Sequence, residues 1–583
     1  MSEFIHVSVA WPYANGDLHI GHLAGNCLPA DIFARYHRLK GNRVLMVSGS
    51  DSHGTPIMLT AEKEGLSTRE TFEKYHRRFL DTQQQIGISY DLFTSTDTEN
   101  HHRVAQDMFL KLLENEAIYQ GTQQLLYDEV AERFVPDRFV EGTCYYCGYE
   151  EARGDQCDNC GHLIDALQLI NPRSKFSAST PVVRDTEQYF LDLAQFKDRL
   201  HDYLADKDYW RANVINFARN MVDDLHERAI TRDIDWGIDV PLEGWEDKRL
   251  YVWFEAVMGY LTASIEWAHN IGDPEAWHQW WYNPEAKIYN FLGKDNIPFH
   301  TVIWQSELLG VGQLYTDDES KVFNLPYDVP ANEYLNMPHG EQFSKSRGTA
   351  VWLPDMLEWY DPDAIRYYVS AVMPETRDSE FGWDDFVARN NNELVGWWGN
   401  LVNRVLKFGY KNWGGKVPDP GELRPDDEAL LATVREGFES VGGYLNEVKL
   451  RRGLEEAMRL AREVNVYLDS APWFSVVKED KQATATTVYT ALQAITYLKT
   501  LLAPWLPFTA QTLHTMLGFG GQVFGDLTIE TYQEETRAHP ALVYDGSKAV
   551  GKWEPETLPP GQALGEPVAL FKKLELDEVV SAE

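Results

Sequence analysis

From Phe4 to Ala10 polar and apolar residues alternate, and the run stops at Trp11-Pro12-Tyr13-Ala14-Asn15-Gly16, where proline, asparagine and glycine favour a turn. A helical spacing starts near His19. A second apolar run, Val44-Leu45-Met46-Val47, then ends in the polar cluster Ser48-Gly49-Ser50-Asp51-Ser52-His53-Gly54. Parallel strands end this way where they face a ligand, so the opening predicts a βαβ nucleotide-binding half. Between about Gln120 and Asp235 the pattern turns irregular, with short strands around four cysteines and helical stretches near Phe196 to Leu204 and Val214 to Ala229, as in an inserted domain. Strand-like runs resume at Leu250-Tyr251-Val252-Trp253-Phe254 and at Ala286 to Leu292, which are expected to complete the first sheet. From Asp384 to about Leu517 the spacing is helical and amphipathic (Leu394, Leu401, Val402 and Val405; then Leu454, Met458, Ala461, Val464 and Tyr467), and predicts a helix bundle. Beyond Gly518 lies a stretch rich in Gly, Pro and charge, with a short apolar tail, Ala569 to Leu574, expected to pack back on the body.

Composition sharpens this outline. At 583 residues, with 44% hydrophobic and 13% aromatic content, the chain exceeds one core and fills several. No basic stretch followed by an apolar run opens the sequence, and no uncharged apolar segment of eighteen residues occurs, so a soluble, cytoplasmic protein with no membrane partner is expected. A net charge of −37 argues against nonspecific attraction to phosphates. Specific RNA recognition through a local groove, base stacking and base-edge hydrogen bonds stays open. Four of the five cysteines form Cys144-x-x-Cys147 and Cys157-x-x-Cys160, each pair followed by glycine. Four thiolates at this spacing suit a tetrahedral structural zinc knuckle, with no open catalytic position. The competing redox reading needs a single exposed C-x-x-C opening a helix.

His19-Ile20-Gly21-His22 sits where strand gives way to helix, so imidazoles and helix N–H groups point at one spot suited to phosphates. Gly21 leaves room for an adenine ring; the plainer alternative is a pair of histidines capping a helix. Far downstream, Phe343-Ser344-Lys345-Ser346-Arg347-Gly348 sets two cations among hydroxyls, as a mobile phosphate clamp would, although such a run alone also suits a solvated loop. The two together resemble the H-I-G-H and K-M-S-K-S motifs of class I aminoacyl-tRNA synthetases. The second motif is altered, because Gln342 and Phe343 stand where Lys and Met are usual.

Within that class the chain resembles the methionyl-tRNA synthetase family over nearly its whole length, through Ala10 to Gly16, Asp51-Ser52-His53-Gly54-Thr55-Pro56-Ile57, Tyr251-Val252-Trp253-Phe254-Glu255-Ala256 and Gly293-Lys294-Asp295. The resemblance implies an α/β protein: a Rossmann-type parallel-sheet catalytic domain split by a zinc-knuckle insertion and followed by an α-helical anticodon-binding bundle. The expected divisions are 1–115 and 235–325 for the catalytic halves, 116–234 for the insertion, 326–385 for the lysine-loop domain, 386–538 for the bundle and 539–583 for the tail.

The implied reaction converts L-methionine and ATP to methionyl-adenylate and then loads the 3' end of tRNA(Met). For the methionine site the resemblance implies Ala10, Trp11, Tyr13, Trp253, Ala256, Tyr260, His300 and Trp304, with Asp51 on the ammonium group. For ATP with its Mg²⁺ it implies His19, Gly21, His22, Gly293, Asp295, Ser344, Lys345 and Ser346. His19, His22, Lys345, Asp51 and Arg232 are the implied catalytic set. An aromatic cage suits the substrate: a thioether carries no charge, so shape and sulfur–ring contacts must select it. Homocysteine lacks one methyl, which binding rejects only ~10 to 200-fold, and the resemblance implies that its adenylate is cyclised in the same site, shaped by Tyr13, Asp51 and Trp304. For the CAU anticodon it implies Asn400, Arg404 and a stacking Trp473. Ser174-x-x-Ser177 and cysteine-free Asp128 to Glu132 stand where some relatives carry a second knuckle, so one structural zinc is expected. A monomer is expected, since the chain ends soon after the bundle. The rival readings are another class I synthetase or a nucleotidyltransferase, and a non-catalytic RNA-binding protein.

Overall fold

The computed structural model describes residues 2–136, 139–154, 157, 159–160, 164–338 and 350–576. Its central sheet has seven strands in the order β5-β4-β1-β2-β3-β7-β6: β1 Phe4–Val9, β2 Arg43–Ser50, β3 Leu92–Ser95, β4 Lys287–Gly293, β5 Ala331–Asn332, β6 Asp526–Gln533 and β7 Ala538–Asp545. The first five are parallel, with Val7 of β1 opposite Met46 of β2 on one side and Tyr289 of β4 on the other. Strand order thus reverses between β1 and β4, the switch point at which a crevice opens beyond the carboxyl ends of the strands.

The alternation in β1 does not mark a solvated face. His6 and Ser8 are fully buried, satisfied by the contacts His6 Nε2 to Ser264 Oγ (2.9 Å) and Ser8 Oγ to His6 Nδ1 (3.1 Å). Helices cover both faces of a parallel sheet, so polar residues within it must find partners inside. Covering helices include α1 Leu28–Leu39, α2 Thr68–Ile86, α3 Glu99–Glu114, α4 Val252–Asn270 and α5 Trp304–Val311. The expectation that Leu250–Phe254 completes the sheet is corrected. Arg249–Leu250 pairs with Thr231–Arg232 and bridges Asp239, not the central sheet, and α4 begins at Val252. Fourteen of the nineteen residues of α4 are buried, and a helix buried nearly all round shows the same unbroken apolar run as a core strand.

The insertion is built on the antiparallel pair Ile118–Asp128 and Val182–Leu191, beside a three-stranded sheet of Val140–Thr143, Ala152–Arg153 and Ile170–Ser174 that holds the cysteines. Its second expected helix spans Ala212–Asp223; Arg228–Ala229 instead pairs with Phe190–Leu191. Next comes α6, Pro362–Ala371, and then the bundle: α7 Asn400–Asn412, α8 Pro425–Asn446, α9 Leu450–Ser470, α10 Lys481–Leu502 and α11 Pro507–Met516.

After the bundle the chain returns to the catalytic sheet as the β6–β7 hairpin, with Leu542 opposite Phe93 of β3. The expected division at 538/539 therefore falls at the start of the hairpin's second strand; the hairpin covers an otherwise open sheet edge. Past it, Leu570 and Phe571 are buried, and Asn390 and Asn391 donate to the carbonyls of Lys572 (2.9 Å) and Leu574 (2.7 Å). Among the described residues no helix is long and apolar enough to cross a membrane.

A buried charge cluster joins catalytic domain to bundle. Asp31 of α1 accepts from Arg35 Nε (2.8 Å), Arg366 Nη2 (2.6 Å) and both Ser89 donors, while Arg366 also donates to the carbonyls of Ile86, Gly87, Pro504 and Trp505. Burial pushes the Asp31 carboxyl up, but the two guanidiniums and the Ser89 donors outweigh it and hold it at about 2.

Candidate active site

The carboxyl ends of β1, β2 and β4 bring Ala10–Tyr13, Asp51–Gly54 and Gly293–Asp295 to one crevice. On α4, Trp253, Ala256 and Tyr260 recur at helical spacing and share a face. Tyr260 is buried and its hydroxyl meets His300 Nε2 at 2.5 Å, while His300 Nδ1 sits 2.8 Å from the Asn296 carbonyl. Burial lowers the His300 pKa to about 4, so the ring is neutral. Trp253 Nε1 donates to the Tyr13 hydroxyl, and its ring packs on Phe299 with centroids 4.8 Å apart. Trp11 is wedged between two glycines: a Cβ on Gly49 or Gly259 would sit 2.1 or 2.6 Å from its indole. Trp304 lies one turn beyond His300 and is fully buried against Trp281.

Asp51 is almost fully buried and bridges backbone to backbone with Tyr13. Its Oδ1 accepts from the His53 amide at 3.2 Å. Burial and the neighbouring Glu255 carboxylate raise its pKa well above the usual carboxylate range. Glu255 itself is gripped by His53 Nδ1 (2.8 Å) and His101 Nε2 (2.9 Å). Burial raises the Glu255 pKa as well, against the pull of its hydrogen bond with His101. Glu255, His53 and His101 carried no assigned role in the sequence, where 202 and 154 residues separate the contacts.

In the histidine segment, the His19 amide donates to His22 Nδ1 (3.1 Å) and the two rings lie tilted against each other with centroids 3.7 Å apart. The Ile20 amide is taken by the Val351 carbonyl (3.0 Å) and the Leu353 amide donates to the Leu18 carbonyl (2.8 Å), so His19 bridges Trp352. The backbone directly after the lysine loop is thereby bonded to the histidine segment. Gln342, Ser344, Lys345 and Ser346 lie outside the described residues. Gly21 is half-buried on the turn between the histidines, a Cβ on Gly293 would meet open space, and Asp295 is exposed at the mouth. Arg232 lies over the Tyr251 ring at 3.8 Å and lines, with Tyr13, Trp253 and Phe134, a cavity of roughly 220 Å³ between catalytic domain and insertion.

The four cysteine sulfurs lie within 4.8 Å of one another, with Cys144–Cys160 at 3.8 Å and Cys147–Cys157 at 3.7 Å. A zinc tetrahedron with bonds of about 2.3 Å has edges of about 3.8 Å, so the set fits that metal. Where a second knuckle could stand, Asp128 accepts from the amides of Val130 and Ala131 and from the hydroxyls of Ser177 (2.6 Å) and Ser179 (3.0 Å). Those donors outweigh burial and hold its carboxyl well below the usual range.

In the bundle Asn400 is exposed, while Arg404 donates to Asn465 (2.9 Å) and lies 5.6 Å over Trp473. Trp473 is no open platform. It is 9% exposed, its Nε1 donates to the Leu468 carbonyl and Phe408 packs against its ring. The neighbouring Phe474, 70% exposed, is the open aromatic at this place.

A family model described as tRNA synthetases class I (M) matches residues 5–406, and one described as the anticodon binding domain of methionyl tRNA ligase matches residues 417–537. A methionine–tRNA ligase of Thermomicrobium roseum is 54% identical, with 100% of this chain and 98% of that protein covered. One from Chloroflexus aggregans is 50% identical with the same coverage. The solved structure of Mycobacterium tuberculosis methionyl-tRNA synthetase in complex with methionyl-adenylate shares the fold, at a TM-score of 0.75 and 24% identity over 98% of this chain and 100% of that one.

Proposed function

The chain belongs to the class I methionyl-tRNA synthetases, and on that premise we propose how its residues divide the family's work. Its reaction is the activation of L-methionine with ATP to methionyl-adenylate, followed by transfer to tRNA, with AMP and pyrophosphate released. The rivals, a synthetase for another amino acid and a non-catalytic RNA binder, fall with that membership.

Asp51 takes the methionine ammonium, and Ala10, Trp11, Tyr13, Trp253, Ala256, Tyr260 and His300 surround the thioether, with Trp304 closing the wall behind His300. His19, His22 and Lys345 hold the phosphates of Mg-ATP, with Ser344 and Ser346 beside Lys345, while Gly21, Gly293 and Asp295 hold adenosine. The substrate carboxylate attacks the α-phosphorus in line and pyrophosphate leaves. Then a terminal ribose hydroxyl of tRNA attacks the adenylate carbonyl. No side-chain nucleophile takes part, so positioning and charge stabilisation carry the first step. Arg232 is placed to meet charge where cavity and amino-acid site join. The observation that carries this reading is the bonding of the histidine segment to the backbone beyond the lysine loop, beside an aromatic cage with a buried carboxylate. Pyrophosphate exchange with a panel of amino acids is expected to respond to methionine at least ~100-fold better than to leucine, isoleucine or valine; equal response to any of these refutes the cage.

Cys144, Cys147, Cys157 and Cys160 hold one structural zinc, which when bound ties the small sheet of the insertion together. Metal analysis is expected to return one zinc per chain and close to none in Cys157→Ser; two per chain refutes the reading of Asp128 as a hydrogen-bonded centre that needs no metal. For the anticodon, Asn400 and Arg404 read base edges. Trp473 backs Arg404 from within, and stacking falls to Phe474 or to Trp473 once rearranged. A cytoplasmic monomer completes the reading; thiols poised for zinc suit a reducing compartment.

A further inference from the structure

We propose that Arg537, in the turn of the β6–β7 hairpin, is a positioning residue for the methionine site, acting through Asp97 on the His53–Glu255 pair beside Asp51. Arg537 Nη1 donates to Asp97 Oδ2 at 2.8 Å, and Arg69 donates to the same carboxylate at 2.7 and 3.3 Å. Held between two guanidiniums, Asp97 Oδ1 stops 3.9 Å short of both His53 Nε2 and His102 Nε2. His53 turns its other nitrogen to Glu255 at 2.8 Å, and its own amide is the donor to Asp51. The path from hairpin to ammonium site is thus three side chains long and lies almost wholly inside the protein, with Asp97 5% exposed and His53 and Glu255 more buried still.

Reciprocal capping fixes where Arg537 stands. The Glu534 carboxylate accepts from the amides of Glu99 and Asn100 at the start of α3, both at 2.9 Å, and the Glu99 carboxylate accepts from the amides of Glu535 and Thr536 and from the Thr536 hydroxyl. These are the unsatisfied donors of a helix start and of a tight turn, each closed by an acid from the other element. His539 seals the other side, between Glu266 (2.9 Å) and Glu534 (3.5 Å). Without Arg537, Asp97 keeps one guanidinium and is drawn toward His53; a ring pulled to Asp97 leaves Glu255 with His101 alone, and the carboxylate next to Asp51 shifts. Arg537 is reached only after the whole bundle, so the last segment of the chain braces the first site.

The inference rests on Asp51 as the ammonium site. The test is pyrophosphate exchange, with KM for methionine, KM for ATP and kcat measured separately and Tm recorded for each variant. Arg537→Gln is expected to raise KM for methionine about tenfold, with KM for ATP and kcat within about twofold, and Arg537→Lys to recover most of it. Asp97→Asn, which removes the carboxylate that would pull the His53 ring, is expected to leave KM for methionine within about twofold and, combined with Arg537→Gln, to suppress that variant's rise. Glu534→Gln, which loosens the turn that carries Arg537, is expected to lower Tm and to raise KM for methionine by less than Arg537→Gln does. An unchanged KM in Arg537→Gln, or in Glu534→Gln should the first fold poorly, overturns the proposal, as does an undiminished rise in the Asp97→Asn/Arg537→Gln double variant. Asp51→Asn separates the two readings. If it cripples methionine use while Arg537→Gln does nothing, the brace alone fails; if it leaves methionine use intact, the ammonium site itself is misplaced.

Discussion

Asparagine in place of Asp51 is expected to cut methionine-dependent pyrophosphate exchange by about 10² to 10³-fold while leaving Tm within about 2 °C of the parent. The two halves of this expectation have one cause. In the empty site burial and the Glu255 carboxylate disfavour the charged form of Asp51 and favour its protonated acid. Asparagine has the shape of that protonated acid and still accepts from the His53 amide, so the fold loses nothing. What it cannot do is ionise when an ammonium arrives, and an unpaired buried ammonium costs about 3–5 kcal/mol. The pH dependence has a definite sign. An acid whose pKa is raised in the empty site must release a proton to bind a cation, so apparent affinity for methionine rises with pH until Asp51 ionises unaided. KM for methionine should therefore fall with rising pH in the parent and lose this dependence in Asp51→Asn. A parent KM independent of pH between 6 and 9, together with a lowered Tm in the variant, would assign Asp51 to folding instead.

Legibility in the sequence follows the range of the contacts. The βαβ opening rests on local spacing and stands in the structure where the pattern put it, whereas Trp253, Ala256 and Tyr260 came from the family resemblance and share a face only because their segment is helical. Reading α4's first turn as a strand failed because its burial on nearly all sides erases the period that separates helix from strand. The β6–β7 hairpin was divided between bundle and tail since its partner, β3, lies more than four hundred residues earlier, beyond any local signal. Glu255 lies within the Tyr251–Ala256 motif, yet its place depends on two distant histidines. Gly49 and Gly259 gave no sign of the indole lodged between them. Trp473 was recognisable as an aromatic, but burial is a property of the packing of α7 against its neighbours, and Phe474 took the exposed position.

The second large effect concerns the joint between catalytic domain and bundle. Arg366→Met is expected to cost about 3–5 kcal/mol, since it strips a fully buried guanidinium from Asp31 and from the carbonyls of Ile86, Pro504 and Trp505 at one stroke and leaves the Gly87 carbonyl to Arg35 alone. These carbonyls belong to the end of α2 and the α10–α11 turn, so the loss falls on the docking of two domains. A single calorimetric transition in the parent should stay single and move to lower temperature in the variant, because one hydrophobic core runs from the sheet and its helices into the bundle. Acid adds a check with a fixed sign. Asp31 is held at about 2, below its unfolded value of about 3.9, so its contribution is complete above pH ~4 and lost as pH falls through ~2. Between those limits the parent should lose stability more steeply than Arg366→Met, whose Asp31 keeps only Arg35 and Ser89. The double variant Asp31→Asn/Arg366→Met isolates the pair: it should be less damaged than the sum of the two single changes, as breaking one partner leaves a buried charge that breaking both does not. Strict additivity would show that Arg366 acts through the carbonyls alone, and a transition at the parent's temperature would show that the domains are joined elsewhere.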